Sequence, residues 1–236
     1  MLSEVKTITL SLPFRLGSVN CYLLGTDDGG YILIDTGGSN RRTQLEEELE
    51  RNGCNPGNLI LIIITHGDFD HTGNTAYLSK KFSSKIAMHH DDSGMAEQGD
   101  MFFNRKRGNI LLRIIIKLIT SIFFGFGKSE RFEPDFYVDD GYDLSEYGLD
   151  AKVIHIPGHS KGSIGIITDN GDLFCGDLLT NGAKTDQPNL NSIMDDKVVA
   201  NESVEKLKGL NINTVYPGHG KPFSLNTLVN LEVPNN

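Results

Sequence analysis

The densest group of chemically reactive side chains lies in a short run near residue 70. Residues 66–71, with the sequence HGDFDH, offer two imidazoles and two carboxylates. Imidazole and carboxylate together are ligands that suit Zn²⁺, Fe or Mn. Buried carboxylates at such close spacing repel each other unless a cation lies between them. A metal site explains the run better than the alternative, in which Asp68 and Asp70 only cap a helix starting near Gly73.

Three further candidate ligands lie far along the chain: His159, Asp177 and His219. Each follows a predicted strand and lies in a glycine-containing turn. Loops beyond the carboxyl ends of strands are where α/β proteins place their sites, so we expect these residues to meet residues 66–71 in one cleft. Taken singly, each has a structural alternative: a histidine that hydrogen-bonds in a turn or, for Asp177, a helix N-cap. Ser160 is expected in a solvated turn beside His159.

Apolar runs separated by turn residues predict an alternation of strands and helices. Residues 27–30 and 169–171 are predicted to join strands in hairpins. Ser39 is the predicted N-cap of a helix that Gly53 ends. The order strand, helix, strand occurs twice, which suggests two similar α/β halves facing each other. The predicted strands are 5–12, 19–25, 30–35, 59–65, 85–89, 151–156, 163–168, 172–176 and 212–216, and the helices are 40–52, 73–82, 195–209 and one starting near Ser224.

Four motifs follow one another along the chain: His66-x-Asp68-x-Asp70-His71, Pro157-Gly158-His159-Ser160, Gly176-Asp177 and Pro217-Gly218-His219-Gly220. In this order, and with Asp35-Thr36-Gly37 upstream, they resemble the motif set of the metallo-β-lactamase superfamily, in its glyoxalase II-like branch. The resemblance runs from about Asn20 to Pro222. It implies an α/β fold, the αβ/βα four-layer sandwich of two β-sheets with outer helices. We expect a single domain over residues 1–236, with an apolar and basic helical insert at about 90–150.

The resemblance also implies a role for each candidate ligand. Two divalent metal ions are implied, the first held by His66, Asp68 and His159, the second by Asp70, His71 and His219, with Asp177 between them and Asp35 orienting the loop that carries His66. Asp70 is in addition a candidate catalytic residue that accepts a proton from the attacking water. Most members have His where this chain has Asp68, and the flavo-diiron branch has a carboxylate there. Zinc is the expected metal, and Asp68 makes iron or manganese the alternatives.

The function expected from this site is hydrolysis of an ester, thioester, lactone or phosphodiester by a metal-bridged hydroxide. Two alternatives remain open. A diiron redox protein that reduces oxygen or peroxide is suggested by Asp68, although 236 residues leave no room for the flavin-binding domain of such relatives. A non-catalytic metal-binding protein with a membrane or partner anchor is the other.

The composition indicates which binding partners and which cellular compartment to expect. The net charge of −9 argues against a nucleic-acid partner, and a small-molecule substrate is expected. Three widely spaced cysteines form no disulfide framework and fit a reducing compartment. Because the N-terminus lacks a basic start followed by an apolar run, we expect a cytoplasmic protein.

The segment 105–131 combines apolar and basic residues, with seven Lys or Arg against one Glu. Its apolar stretch at 110–126 is short and charged for a membrane-spanning helix. Three interpretations remain: a helix across the active-site mouth, a homodimer interface, or a helix on a membrane surface. All three interpretations favour an apolar or acyl-bearing substrate. Activity that does not change with acyl length would contradict this expectation.

Overall fold

The structure, a computed structural model, describes residues 5–13, 17–105, 130–181 and 188–224. The N-terminal half comprises β1 (Lys6–Ser11), β2 (Ser18–Gly25), β3 (Tyr31–Ile34), α1 (Arg42–Arg51), β4 (Leu59–Ile63), α2 (Phe69–Thr72), α3 (Thr75–Phe82), β5 (Lys85–Met88), α4 (His90–Gln98) and β6 (Phe136–Tyr137). The C-terminal half comprises β7 (Ala151–His155), β8 (Ile164–Thr168), β9 (Asp172–Asn181), β10 (Pro188–Leu190), α5 (Lys197–Lys208), β11 (Thr214–Gly220) and β12 (Phe223–Ser224).

The first sheet has the strand order β1-β2-β3-β4-β5-β6. β2 and β3 form the predicted antiparallel hairpin, whereas β3 to β6 run parallel to one another. Most of β4 is buried, as expected for an apolar strand covered on both faces. Because β3 and β4 are parallel neighbours, the chain leaves both strands at the same edge, which places Asp35 beside Thr65.

The second sheet has the order β12-β11-β9-β8-β7, and β10 pairs with the end of β9. β8 and β9 form the hairpin predicted at residues 169–171. β9 and β11 run parallel, with His219 opposite Thr180 in register. Parallel pairing therefore brings Asp177 on β9 and His219 on β11 toward the same end of this sheet.

The two sheets pack face to face, and helices cover their outer faces. The inner core joins apolar side chains of both sheets, among them Tyr22, Leu24, Ile32, Leu61, Ile63, Val153, Ile164, Ile166 and Phe174. The helices α1 and α3 pack on the first sheet through Leu45, Leu49, Leu78 and Phe82. Helix α5 packs on the second sheet through Ala200, Val204 and Leu207. This αβ/βα sandwich confirms the predicted fold.

Local details differ from the sequence predictions in several places. Ser39 does not cap α1, because Ser39–Arg41 winds into a 3₁₀ turn and α1 begins at Arg42 without a side-chain cap. Helix α4 was not predicted, and both β9 and β11 run further than expected. Ser224 itself lies in the short strand β12, and the residues after it, where the helix is expected, lie outside the described residues.

Two segments discussed above lie partly or wholly outside the residues that the structure describes. Most of the apolar and basic segment 105–131, and the helix expected after Ser224, lie outside the described residues. A helix that could span a bilayer is not found in the part of the chain that the structure describes.

Candidate metal centre

Asp177 lies at the centre of the site predicted from the sequence. Its Oδ1 is 3.3 Å from Nε2 of His71, and its Oδ2 is 3.3 Å from Nε2 of His219. The same Oδ2 is 4.0 Å from Nε2 of His159. Asp177 is an interior residue of β9, so the alternative that it caps a helix is wrong. One carboxylate thus contacts histidines from three separate parts of the chain.

The other predicted ligands form two groups around Asp177. In the first group Oδ2 of Asp68 is 3.0 Å from Nε2 of His159 and 3.7 Å from Nε2 of His66. In the second group Oδ2 of Asp70 is 3.4 Å from Nε2 of His219. We call these groups the first position (His66, Asp68 and His159) and the second position (Asp70, His71 and His219). The structure therefore brings all seven predicted residues together.

Local structure explains how residues 66–71 present four ligand side chains. The chain leaves β4 and turns at Gly67, where an added Cβ would lie 2.5 Å from Sδ of Met95. Helix α2 then starts, with Asp68 at its N-cap position but without a capping hydrogen bond from that side chain. The carboxylate of Asp68 is therefore available to the site.

The histidine rings share one orientation, in which Nδ1 contacts an oxygen of the protein and Nε2 faces the centre. Nδ1 lies 2.8 Å from Oδ2 of Asp35 in His71, 2.6 Å from the carbonyl oxygen of Ile193 in His159, and 2.7 Å from the carbonyl oxygen of Ser18 in His219. Because carbonyl and carboxylate oxygens accept, each Nδ1 carries the proton. In the neutral ring, Nε2 then has a lone pair that a cation could bind.

Thr65 completes this pattern for His66. The Thr65 hydroxyl donates to Oδ2 of Asp35 at 2.8 Å, so its oxygen is left to accept from Nδ1 of His66 at 2.9 Å. Asp35 also accepts from the Thr65 amide at 2.8 Å. Asp35 therefore orients His71 directly and His66 through Thr65. Asp35 itself has φ +59°, a conformation uncommon for a non-glycine residue.

A cation fits this arrangement. Nε2 of His66, Nε2 of His71 and Oδ1 of Asp177 are buried, and none has a hydrogen-bond partner among the described residues. Buried polar atoms normally have partners, so three such atoms facing one another need an explanation. Divalent cations bound between imidazole and carboxylate groups satisfy them.

The neighbouring histidines keep Asp177 ionised. Burial alone raises the pKa of Asp177, but His219 and His71 outweigh burial and hold that pKa well below its usual range. Burial lowers the pKa of His66 well below its ordinary value, and the nearby His71 and His159 lower it further. Burial also acts on His71, yet Asp177 and Asp35 raise its pKa well above the ordinary value.

Arg105 is a site residue that the sequence did not reveal. Its Nη2 is 2.8 Å from Oδ1 of Asp68, and its Nε is 3.3 Å from Oδ2 of Asp195. Burial alone raises the pKa of Asp68, but Arg105 and His159 hold it well below its usual range. No local pattern relates Arg105 to a residue 37 positions earlier.

Asp92 is the second residue that sequence reasoning missed. This fully buried side chain accepts from the Gly67 amide at 3.0 Å, from the Ser160 hydroxyl at 2.6 Å and from the Gly162 amide at 2.8 Å. It therefore ties the turn of residues 66–71 to the turn after His159. Ser160 is buried by this contact, so the expectation of a solvated turn at that residue is wrong.

A second group of ligand-type side chains lies near the end of β5. The rings of His89 and His155 stack with centroids 4.3 Å apart, and Nε2 of His89 is 3.4 Å from Oδ1 of Asp139. Nδ1 of His89 accepts from the Asp91 amide at 3.2 Å, which leaves the ring proton on Nε2, directed at Asp139. Nε2 of His155 contacts the Lys161 carbonyl oxygen at 2.8 Å. Hydrogen bonding therefore accounts for this group.

Comparison with known proteins establishes the class. A family model described as the metallo-beta-lactamase superfamily matches residues 14–219. The chain therefore belongs to the metallo-beta-lactamase superfamily, whose members are typically hydrolases. This confirms the family that the motif order predicts.

Curated relatives are similar over most of the chain. A probable metallo-hydrolase of Methanocaldococcus jannaschii is 31% identical over 198 residues, which cover 80% of this chain and 82% of the relative. The hydroxyacylglutathione hydrolase GloC of Haemophilus influenzae is 28% identical over 182 residues, 75% of each chain. A beta-lactamase-like protein 2 homolog of Caenorhabditis elegans is 27% identical over 209 residues, but these cover 88% of this chain and only 58% of that relative.

Solved structures share the fold. The B3 metallo-beta-lactamase BLEG-1 superposes with a TM-score of 0.70 at 23% identity, covering 98% of both chains. The protein TTHA1623, solved in a di-iron-bound form, superposes with a TM-score of 0.67 at 23% identity, covering 95% of this chain and 97% of that one. At these identities the likeness shows a common architecture.

Proposed function

We propose that the chain is a metal-dependent hydrolase that holds two divalent cations and cleaves an ester or thioester, with lactones and phosphodiesters as further substrate classes. The observation that carries this proposal is the common orientation of four histidines. Nδ1 of each contacts an oxygen of the protein, and Nε2 of each faces a carboxylate. A neutral ring held in this way is prepared to bind a cation, since its proton lies on the nitrogen that faces away from the site.

The first and second positions would each hold one cation, with Asp177 between them. When bound, such a pair lowers the pKa of a shared water and stabilises the negative charge that develops on the substrate oxygen. Asp35 keeps the Nε2 atoms of His71 and His66 directed at the site. Asp70, the candidate catalytic residue, is partly exposed at 14%, so its carboxylate can accept a proton from an incoming water.

The ligand chemistry supports zinc, with iron or manganese as alternatives. Four imidazoles suit zinc and iron, whereas the three carboxylates of Asp68, Asp70 and Asp177 are harder donors that also suit manganese. The substrate class is supported by a relative: the Haemophilus influenzae protein is named for the hydrolysis of hydroxyacylglutathione, a thioester. A small-molecule substrate also agrees with the negative net charge.

The proposal is tested by loading metal-free protein separately with Zn²⁺, Mn²⁺ and Fe²⁺. Each form is assayed against an acyl-glutathione thioester, a series of p-nitrophenyl esters of rising acyl length, a lactone and bis-p-nitrophenyl phosphate. His219→Ala, which removes one ligand of the second position, is the matched inactive control. Asp172→Asn, at the far end of β9, is the matched active control.

Hydrolysis of one substrate class that requires about two metal ions per chain, and that His219→Ala abolishes, is the expected result. Metal binding without hydrolysis of any class would contradict the proposal. If an iron pair instead supported the reduction of oxygen or peroxide, the redox alternative raised by Asp68 would replace it.

A further inference from the structure

The two oxygens of Asp68 have different surroundings. Oδ2 faces the first position, 3.0 Å from Nε2 of His159 and 3.7 Å from Nε2 of His66. Oδ1 faces away from these rings and lies 2.8 Å from Nη2 of Arg105. Only one oxygen of the carboxylate is therefore directed at the ligand histidines.

Arg105 is held in place from its other side. Its Nε is 3.3 Å from Oδ2 of Asp195, and its side chain is only 4% exposed. The Asp195 amide in turn donates to the His159 carbonyl oxygen at 3.3 Å. Arg105 is thus a buried side chain beside the first position, held by Asp68 and Asp195.

The charges of Asp68 and Arg105 cancel. A guanidinium cannot lose its proton in a protein, so Arg105 carries a permanent positive charge. The neutral imidazole found at this place in most of the family brings one donor atom and no charge. Asp68 together with Arg105 likewise offers one donor atom, Oδ2, and a net charge of zero.

We propose that Arg105 converts Asp68 into a neutral, single-oxygen donor and thereby sets the metal affinity of the first position. This inference rests on the metal site proposed above. Arg105 and a cation at the first position are counter-charges for the same carboxylate, so they oppose each other. Arg105 is a positioning residue in this scheme, because it acts on the metal through Asp68.

The proposal makes the summed charge of residues 68 and 105 the controlling quantity. The unchanged chain and the double variant Asp68→Asn/Arg105→Met both have a sum of zero. Arg105→Met alone has a sum of −1, and Asp68→Asn alone has a sum of +1. We expect Zn²⁺ affinity at the first position to be highest at a sum of −1, lower at zero and lowest at +1. Successive steps are expected to differ by about tenfold or more.

The measurement is a Zn²⁺ titration of metal-free protein against a competing chelator. All variants are also prepared with His219→Ala, so that the second position is impaired and the remaining constant is assigned to the first. Arg105→Lys, which keeps the charge, is expected to stay closer to the unchanged chain than Arg105→Met does. Lys81→Met removes an ion pair with Glu46 on α1 and is the control with no expected effect. Circular dichroism verifies that each protein is folded.

The decisive comparison is between Asp68→Asn and the double variant, since neither contains an unpaired buried carboxylate at residue 68. Recovery of affinity in the double variant, by about tenfold or more over Asp68→Asn, supports the proposal. A double variant no tighter than Asp68→Asn would overturn it and leave Arg105 a purely structural role. Equal affinity in all four proteins would overturn this inference alone, whereas absence of Zn²⁺ binding by the unchanged chain would overturn the proposed function as well.

Discussion

The first and second positions differ in their access to solvent. In the first position His66 and His159 are each 1% exposed and Asp68 is 8% exposed. In the second position His71 is fully buried, but Asp70 and His219 are 14% and 23% exposed. We therefore expect water and substrate to approach from the second position.

The two positions also differ in what balances their charge. The carboxylate of the first position, Asp68, has a buried cationic partner in Arg105. The carboxylate of the second position, Asp70, lies closer to solvent and contacts His219. The buried side of the site therefore has a cationic side chain beside its carboxylate, whereas the carboxylate of the more exposed side has His219 and solvent beside it.

Asp177 is the residue that both positions share, so its loss is expected to have the largest effect. Asp177→Asn keeps the shape of the side chain but removes the charge that faces His71 and His219. We expect the metal content to fall from about two ions per chain to about none, because each position loses a ligand. Elemental analysis after dialysis against metal-free buffer measures this.

Asp172→Asn is the matched control for that change. It lies on the same strand, β9, but pairs in register with Thr214 at the end remote from the site. Retention of both ions in Asp172→Asn is expected. If Asp177→Asn kept one ion with unchanged affinity, the two positions would not share this carboxylate.

The loop that carries His159 is expected to be rigid because Gly158 packs tightly against α5. Gly158 has φ +138°, and an added Cβ would lie 2.4 Å from Cα of Ala200. Gly158→Ala is therefore expected to lower the free energy of unfolding by about 3 kcal/mol or more. Gly141→Ala, at φ +80° with no neighbour within 4 Å, is expected to cost only about 1 kcal/mol.

Urea unfolding of the metal-free proteins measures both changes. A similar loss of stability in Gly158→Ala and Gly141→Ala would show that backbone strain, and not packing against Ala200, determines the cost. The loop that carries His159 would then be less rigid than its burial indicates.

Asp35 and Asp92 anchor the site in different ways. Asp35 contacts the His71 ring directly, whereas Asp92 holds only the backbone of Gly67 and Gly162 and the Ser160 hydroxyl. Asp35→Asn is expected to weaken metal binding by about ten- to a hundredfold, the range typical for partners of ligating histidines. Asp92→Asn is expected to weaken it by less than about tenfold and only at the first position.

Chelator-competition titrations measure both constants in each variant. The reverse order of effects, with Asp92→Asn more damaging than Asp35→Asn, would mean that the geometry of the two turns matters more than the orientation of the rings.

The parts that sequence predicts well are those with local signals. The apolar run of β4 predicts a buried strand, and the residues that follow it predict a cluster of ligands. The glycine-containing motifs around His159, Asp177 and His219 also identify these residues as candidate ligands, although Asp177 and His219 lie inside β9 and β11 rather than in turns after them. Composition and periodicity within a few residues are enough for such features.

The parts that sequence misses depend on contacts between distant residues. Helix α4 buries the polar side chains Asp92 and Ser93, so its residues lack the apolar periodicity by which helices are recognised. Asp92 is 70 residues from Gly162, its hydrogen-bond partner. Arg105 likewise meets Asp68 only in the folded chain, and a basic residue in a basic segment gives no sign of burial.

The smallest expected effect concerns an exposed ion pair, which contrasts with the buried pair of Arg105 and Asp68. Asp140 accepts from the Lys206 ammonium at 2.6 Å and from the His155 amide at 2.8 Å. Burial raises the pKa of Asp140, but these two partners outweigh it and lower that pKa. The resulting stability is present above the unfolded pKa of about 3.9 and is lost as the pH falls through the folded value.

Asp140→Asn keeps an acceptor for His155 and removes the charge. Because the pair is about half exposed, we expect a loss of about 0.5 kcal/mol or less at pH 7 and a smaller loss at about pH 3.5, below the unfolded pKa. Thermal unfolding at both pH values measures this. A loss of equal size at the two pH values would mean that Asp140 acts through the hydrogen bond to His155 and not through its charge. The contrast with the buried pair of Arg105 and Asp68 would then not be one of charge.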